Sequence, residues 1–535
     1  MGLVALLWCM VLPAQQTTSE TPVPLDITGI AVELREQLER GPSGDASLLY
    51  WEKLADFYAS RDYQPVWLDA QWANERARAM LAVLRHAGEE GLDPSAYPLP
   101  LLEQLSQGRG QHELLQFELL LSNTFFDYSR DIHIGQIEPE WSTLLWHIAT
   151  KKTGSATLLQ ALSANEDFAL SITGLAPAHP GYQRLRDALA RYHKIEAAGG
   201  WPTIPQGEKL RLGAEGPRVA LLRRRLQLEG DLPFSPLTPQ SLFDQTLHYA
   251  VERFQLRHGL ERDGVVGALT LAELNVPVSR RIEQIRANME RWRWLPEQLG
   301  HRHIIVNISA FQLSAYDHGE RQFTMDAIIG TQETPTPQIT GDLHTVVFNP
   351  YWTIPRKIAL EEIIPKQQRN PGYFRSQGIR VFSDWNGTTE LAPGGIDWTR
   401  LDWNNFVYML RQDPGPKNPL GKLKFIFTNN YRVYLHDTPA QQLFDQTERS
   451  FSHGCIRVAQ PVLLAHYLLA SEAAAPWSEE AIRSAIATGA TREVELSSPL
   501  PVYLLYLTAW VGDDGAVHFR KDLYGEDELL LIDLP

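Results

Sequence analysis

Leu423-Lys424-Phe425-Ile426-Phe427-Thr428-Asn429-Asn430-Tyr431-Arg432-Val433-Tyr434-Leu435-His436 reads as two short strands about a turn. Phe425 and Phe427 lie on one strand, and Tyr431, Val433 and Leu435 on the other. A period of two marks a half-buried sheet, and Asn429-Asn430 tolerates the positive φ of a tight turn. The spacing predicts a hairpin that delivers His436 to a strand end. Sixteen residues later comes Ser452-His453-Gly454-Cys455-Ile456-Arg457-Val458. A thiol attacks a carbonyl as thiolate and needs a base within hydrogen-bond reach, and an imidazole near neutrality suits that task. The base needs an acceptor on its other ring nitrogen; a backbone carbonyl just after His436 and an Asp or Asn side chain are both open. Gly454 lets the chain turn sharply, so that the amides of Gly454 and Cys455 converge on a developing oxyanion. Each such donor is worth about 3 kcal/mol of barrier.

Around this centre the last third of the chain is strand-rich. Residues 303–329 alternate about a turn at Asp317-His318-Gly319. Residues 355–418 differ, with a helical start, many Trp and Gly and several turn signals, and read as an insertion over the β core. Upstream, Ser279–Leu295 predicts a helix with Ile282, Ile285, Met289 and Trp292 on one face. Residues 207–276 predict three short helices. Gly216-Pro217 opens the first, with Val219, Leu222 and Leu226 on its face. Asp244 caps the second, with Leu247, Val251 and Phe254 inward, and His258-Gly259 ends it. Thr270-Leu271-Ala272-Glu273 has the pattern of a capping box for the third. Beyond the break at Gly199-Gly200-Trp201-Pro202, residues 30–200 predict a helical scaffold, in which Leu114–Phe126 and Thr157–Leu162 carry helical spacing. The aromatics from Phe57 to Trp67 are read as its core. Residues 16–29, rich in Thr, Ser and Pro, read as a linker. The expected fold class is multidomain α+β: a helical scaffold, a three-helix module at 207–276, and a mainly-β catalytic domain at 300–500 with the insertion over it. A strand-rich C-terminal extension at 501–535 completes it.

At 535 residues the chain exceeds one hydrophobic core. Its net charge of −15 argues against a nucleic-acid partner, which wants a basic face. Residues 1–14 are apolar, too short to span a bilayer, and read as the core of a secretory signal peptide ending near Pro13-Ala14; its start carries no Lys or Arg, which leaves a misplaced start codon or an uncleaved anchor as alternatives. The expected location is the periplasm, with inner-membrane anchoring if the segment is kept. The two cysteines are Cys9 and Cys455. Loss of the leader would leave one thiol in an oxidising compartment, where retention needs a reason.

The offsets Gly213-x-x-Gly216-x-x-Val219, Ala250-Val251-x-x-Phe254-Gln255-x-x-His258-Gly259-Leu260 and Asp263-Gly264-x-x-Gly267-x-x-Thr270 resemble the peptidoglycan-binding type 1 module. His436-Asp437-Thr438-Pro439 followed by Ser452-x-Gly454-Cys455-x-Arg457 resembles the YkuD L,D-transpeptidase signature. It is supported by Phe348-Asn349-Pro350-Tyr351-Trp352-x-Ile354-Pro355 and Arg411-Gln412-x-Pro414-Gly415-Pro416-Lys417-Asn418-x-Leu420-Gly421. With the scaffold, the whole is similar to the large YcbB-type enzymes of Gram-negative bacteria. The resemblance implies that Cys455 attacks the carbonyl of the third residue, meso-diaminopimelate, of a tetrapeptide stem. D-Ala leaves, a thioester forms, and the side-chain amine of another diaminopimelate resolves it as a 3→3 cross-link in cell-wall biogenesis. It further implies that His436 is general base and then acid, that Tyr434 aids the oxyanion, that the carbonyl of Asp437 orients His436, and that the insertion is a lid over the donor site. No cofactor or metal is implied. The expected partners are stem peptides and glycan, a D,D-carboxypeptidase that supplies tetrapeptides, and carbapenems acylating Cys455.

The remaining motif residues carry two readings each. Arg457 holds a substrate carboxylate or braces the catalytic loop through a salt bridge. His453 contacts substrate or sits on the surface. Ser452 contacts substrate or, more simply, bonds within its loop. Trp352 and Trp398 are lid contacts or core. Three rivals remain: a zinc hydrolase using His436, His453 and Cys455; a cysteine peptidase or carboxypeptidase with the same dyad; and a non-catalytic wall-binding protein. Attachment of a lipoprotein to peptidoglycan would use the same chemistry as cross-linking.

Overall fold

The computed structural model describes residues 25–41, 49–139, 144–151, 154–165, 167–234, 240–470 and 477–534. The leader at 1–14, with Cys9, lies outside them. The expected linker ends sooner than Gly29, because Asp26 caps a helix Ile27–Arg40 by accepting from the Gly29 amide.

The chain forms two compact units, one comprising residues up to 85, 97–128 and 154–173, the other 86–96, 129–153 and 174–535. The first is helical. Phe57, Tyr58 and Trp67 fill its core. Tyr58 donates to buried Glu118 at 2.7 Å, the indole of Trp67 donates to Ser122 at 2.8 Å, and Glu118 also accepts from the Trp67 amide at 3.0 Å. The single helical domain expected over 30–200 is therefore divided. Its last helix, Pro180–Ala197, belongs to the second unit because it packs on the helix Val278–Trp294. Gly181 lies where any Cβ would strike the Trp292 ring, and His179 stacks on that ring at 4.1 Å.

In the second unit three helices, Pro217–Glu229, Gln245–Arg257 and Ala268–Leu274, enclose Val219, Leu222, Leu226, Leu247, Val251 and Phe254. Asp244 caps the second through the Leu247 amide at 2.9 Å. Thr270 is not a cap: the third helix starts after Gly267, and the Thr270 hydroxyl accepts from Gln255. The helix Val278–Trp294 is buried on nearly every side. Its inner charges are matched, Arg293 with Glu290 at 2.6 Å and Arg291 with Asp527 at 2.5 Å.

Eight strands of a nine-stranded sheet build the barrel of the catalytic region: β1 (Arg302–Asn307), β2 (Gln312–Asp317), β3 (Glu320–Gly330), β4 (Thr340–Phe348), β5 (Leu423–Phe427), β6 (Leu435–His436), β7 (Ile456–Val458) and β8 (Arg492–Leu505); the ninth, Ser450–Ser452, pairs parallel with β3. Their order is β3-β7-β6-β5-β4-β8-β1-β2, and β2 pairs back onto β3, closing a barrel. Alternate residues, among them Val306, Leu313, Ala327, Val346, Phe425, Leu435, Ile456 and Leu504, share its core. His318 and Gly319 both take positive φ between β2 and β3, as a tight hairpin of matching twist requires. β8 runs between β4 and β1, so a boundary at 500 cuts a central strand; residues 501–505 belong to the barrel and not to an extension.

The expected hairpin needs correction as well. β5 pairs with β6 only at Lys424–His436 and Phe425–Leu435. Residues 428–434 form a longer connection, and its positive φ falls at Arg432 instead of Asn429-Asn430. Asn429 folds this loop from within, donating to the carbonyls of Phe427 and Val433 and accepting from the amides of Tyr431 and Val433.

The insertion begins slightly before residue 355. It contains a four-stranded sheet ordered Trp352–Thr353, Met409–Gln412, Ile379–Phe382, Glu390–Leu391, and its own core around Ile354, Phe374, Val381, Trp398 and Leu410. Asn349 and Asn418 staple its two necks: Asn349 donates to the carbonyls of Ile486 and Ala490, and Asn418 to that of Pro350.

Candidate active site

Strand alternation assembles the site. Leu423, Phe425, Leu435, Ile456 and Val458 point into the barrel core, so Lys424, Tyr434, His436, Cys455 and Arg457 share the other face. β6 and β7 run parallel with Leu435 beside Ile456 and His436 beside Arg457, and the Ile456 amide bonds the Tyr434 carbonyl at 3.1 Å. Cys455 and His436 thus leave neighbouring strands in the same direction.

His436 is buried, and its Nδ1 faces the carbonyl oxygen of Asp437 at 2.5 Å. The Asp437 carboxylate is turned elsewhere, accepting from the amides of Lys422 and Thr438, each at 2.7 Å. Of the two acceptors left open by sequence, the ring therefore has the carbonyl. Burial, then Arg457, then Lys424 push the His436 pKa down to about 3, against the opposing pull of that carbonyl. Cys455 is partly exposed. Desolvation raises its thiol pKa, opposed by hydrogen bonds from the Tyr434 amide and hydroxyl and by the charges of Lys424 and Arg457. At rest the thiol and the imidazole are therefore both neutral, and the thiolate has to be formed by proton transfer.

Gly454 has φ +102, a conformation costly for any residue with a Cβ. Its amide is not free to face an oxyanion, because it donates to the Ser452 hydroxyl at 3.1 Å, and that hydroxyl in turn donates to the Cys455 carbonyl at 2.5 Å. Ser452 is buried and braces the loop, so it is not placed to touch substrate. Thr334 and Thr336 support the same turn through the carbonyls of Ser452 and Gly454. His453 points away from the dyad to Glu362 of the insertion, Nε2 to Oε1 2.7 Å. Glu362 lies in a π-helical turn, Ala359–Ile363. Trp352 is half-buried and hydrogen-bonds Tyr434, whereas Trp398 is core of the insertion. Arg457 has no ion-pair partner among the described residues, and its Nε is buried and unbonded.

Three participants escaped the sequence reading. Lys424 places Nζ 4.0 Å from the Tyr434 ring centre. Its alternation with Phe425 was the available signal. Glu362 and Arg432 had none, since each arrives through a connection whose path the sequence does not specify. The Arg432 carbonyl lies 3.8 Å from the Cys455 sulfur.

Residues 301–477 match the YkuD family, described as the L,D-transpeptidase catalytic domain. Residues 215–274 match a "Putative peptidoglycan binding domain", and 52–189 a scaffold domain. A Haemophilus influenzae protein named "Putative L,D-transpeptidase" is 32% identical over 255 residues, covering 47% of this chain and 50% of that protein. The chain thus spans half the length of this curated relative. Among solved structures, an L,D-transpeptidase from Xylanimonas cellulosilytica is 17% identical with a TM-score of 0.19, covering 56% of this chain and 99% of that one. One from Mycobacterium smegmatis is 15% identical with a TM-score of 0.17, covering 38% and 58%.

Proposed function

We propose that this chain, whose residues 301–477 belong to the YkuD family of L,D-transpeptidase catalytic domains, is a cysteine acyltransferase that forms 3→3 cross-links between peptidoglycan stem peptides. The observation that carries the reading is the common face of Cys455 and His436, flanked by the cations Lys424 and Arg457. With Nδ1 committed to the Asp437 carbonyl, Nε2 is the atom that takes the thiol proton. Sulfur then bonds to the carbonyl carbon of the third stem residue. Lys424 and Arg457 stabilise the negative charge passing through this region. Oxyanion donation falls to the Tyr434 hydroxyl and the Cys455 amide, since the Gly454 amide is occupied. His436 returns its proton to the departing D-Ala amine, leaving a thioester. An acceptor amine replaces sulfur and completes the cross-link. Arg457, lacking an acidic partner among the described residues, pairs with a carboxylate of the diaminopimelate.

Water competes with the amine for the thioester. The insertion favours transfer, since it reaches the catalytic loop through Glu362–His453 and the thiol's neighbour Tyr434 through Trp352. The match at 215–274 supports peptidoglycan as the polymer held. Such a substrate implies work outside the cytoplasm, with a D,D-carboxypeptidase supplying tetrapeptides and carbapenems acylating Cys455. Among the described residues no helix is long and apolar enough to cross a membrane. Incubation with a purified disaccharide-tetrapeptide, followed by mass spectrometry, tests the proposal. A dimer lacking one D-Ala is expected; tripeptide alone would make the enzyme a carboxypeptidase, and no product at all would sink the assignment.

A further inference from the structure

The insertion stands at one end of the reactive face and a different structure at the other. β5 starts beside the insertion's exit and runs to Phe427; β6 returns, ending at His436. The insertion therefore adjoins the His436 end, and the connection 428–434 adjoins the opposite end, where the Cys455 thiol meets the Arg432 carbonyl.

At that second end an exposed surface is held firmly. Asn429 clamps the loop with four hydrogen bonds, and Arg432 is kept at φ +57, which a residue with a Cβ adopts only when its surroundings impose it. The exposed Tyr431 ring stacks on His147, centroids 4.6 Å apart and planes 21° apart. His147 comes from far away in the sequence and is anchored in three ways. Its amide and the Leu145 carbonyl bracket Gln338 in two 2.8 Å hydrogen bonds. The Leu145 amide donates to Glu526 at 2.9 Å. Trp146 is buried against Trp294 at 5.0 Å. Two exposed rings so fixed, one of them adjoining the residue whose carbonyl meets the Cys455 sulfur, next to an arginine with no ion-pair partner among the described residues, make a preorganised binding surface.

We infer that His147, Tyr431 and Arg432 form the subsite for the acyl acceptor, a stem peptide carrying a diamino acid with a free carboxylate. This rests on the transferase reading above. The guanidinium of Arg432 pairs with the carboxylate, and the stacked rings carry the alkyl side chain that ends in the amine. The amine nitrogen bonds to the thioester carbon, the C–Sγ bond breaks, and the amine proton passes through His436 to sulfur, restoring the thiol.

The test uses the full chain with His147→Ala and, separately, Arg432→Gln, each given disaccharide-tetrapeptide. The dimer-to-tripeptide ratio reports the acceptor; acylation of Cys455 by a carbapenem, read by intact mass, reports the donor half alone. Each variant should lower the ratio about fivefold or more, and for His147→Ala, which has no contact with the catalytic loop's thiol, acylation should stay within about twofold of the parent. An acceptor amidated at its carboxylates should transfer poorly with the parent and no worse with Arg432→Gln. A ratio unchanged in both variants overturns the inference while leaving the transferase assignment standing. A parallel loss of acylation in His147→Ala also overturns it, since the ring would then only position Cys455. No dimer from the parent chain removes both.

Discussion

Burial holds Cys455 protonated and His436 neutral, and a neutral pair titrates differently from an ion pair. Alkylation by iodoacetamide, followed at the Cys455 peptide, should keep rising beyond the ordinary thiol pKa of about 8.5 and show no inflection near 6.5, where a free imidazole titrates. A plateau below neutrality would show a preformed thiolate instead. Substrate should change this. Arg457 lowers the His436 pKa, so a carboxylate that neutralises Arg457 raises it. In tetrapeptide turnover the acid limb of kcat, set by the complex, should therefore lie at higher pH than that of kcat/KM, set by the free enzyme, and Arg457→Gln should abolish the difference. Gly454→Ala forces a Cβ onto φ +102. It should cost about 1–2 kcal/mol by denaturation and lower acylation at least a hundredfold, because the displaced atom is the neighbour of the nucleophile. Cys455→Ala should abolish transfer and hydrolysis with little change in unfolding midpoint.

The elements have separate energetic bases. The insertion carries its own core, in which Trp398 meets Phe374 at 4.9 Å. Trp398→Ala should cost about 3–5 kcal/mol of local stability, seen as lost exchange protection across 352–412 with the barrel strands still protected. In the three-helix module Glu229 is fully buried between Arg225 and Arg257, each at 2.5 Å, and accepts from Tyr192 at 2.7 Å. Its two arginines hold its pKa well below the usual carboxylate value despite desolvation. A depressed folded pKa means stability present above about pH 4.5 and lost on acidification below it. Glu229→Gln should cost about 3–5 kcal/mol at pH 7, chiefly from uncompensated buried arginines, and the difference from the parent should shrink below pH 4.5. A penalty that stays constant with pH would show that Glu229 contributes no charge.

For the molecule as a whole, closure of the barrel depends on its last strand. β8 pairs with β4 along one edge and β1 along the other, and past it Thr508 and Asp527 bond to the buried helix Val278–Trp294. A chain ending at Leu500 loses the last five of that strand's 14 residues, the part that pairs with β1, and strips Arg291 of its partner. It should fail to give a cooperative unfolding transition and should not be acylated by carbapenems, although every residue of the dyad is retained. Native-like circular dichroism with retained acylation would show that closure is dispensable.

The sequence by itself determined the motif and the alternation that displays it. His436, Gly454 and Cys455 were legible because the motif restricts residue type and spacing. Lys424, Tyr434 and Arg457 share a face because side chains on a strand alternate by rule. The helices of 207–276 were legible through periodicity and caps, local properties that neighbours rarely override. What only the tertiary structure decided were the contacts between segments distant along the chain. These are the protonation of the pair, set by desolvation of both groups and, for His436, by two cations; the diversion of the Gly454 amide to Ser452; the pairing of His453 with Glu362; and the arrival of His147 beside Tyr431. Desolvation and long-range contact depend on how the chain returns to itself, and no local pattern of residues encodes that path.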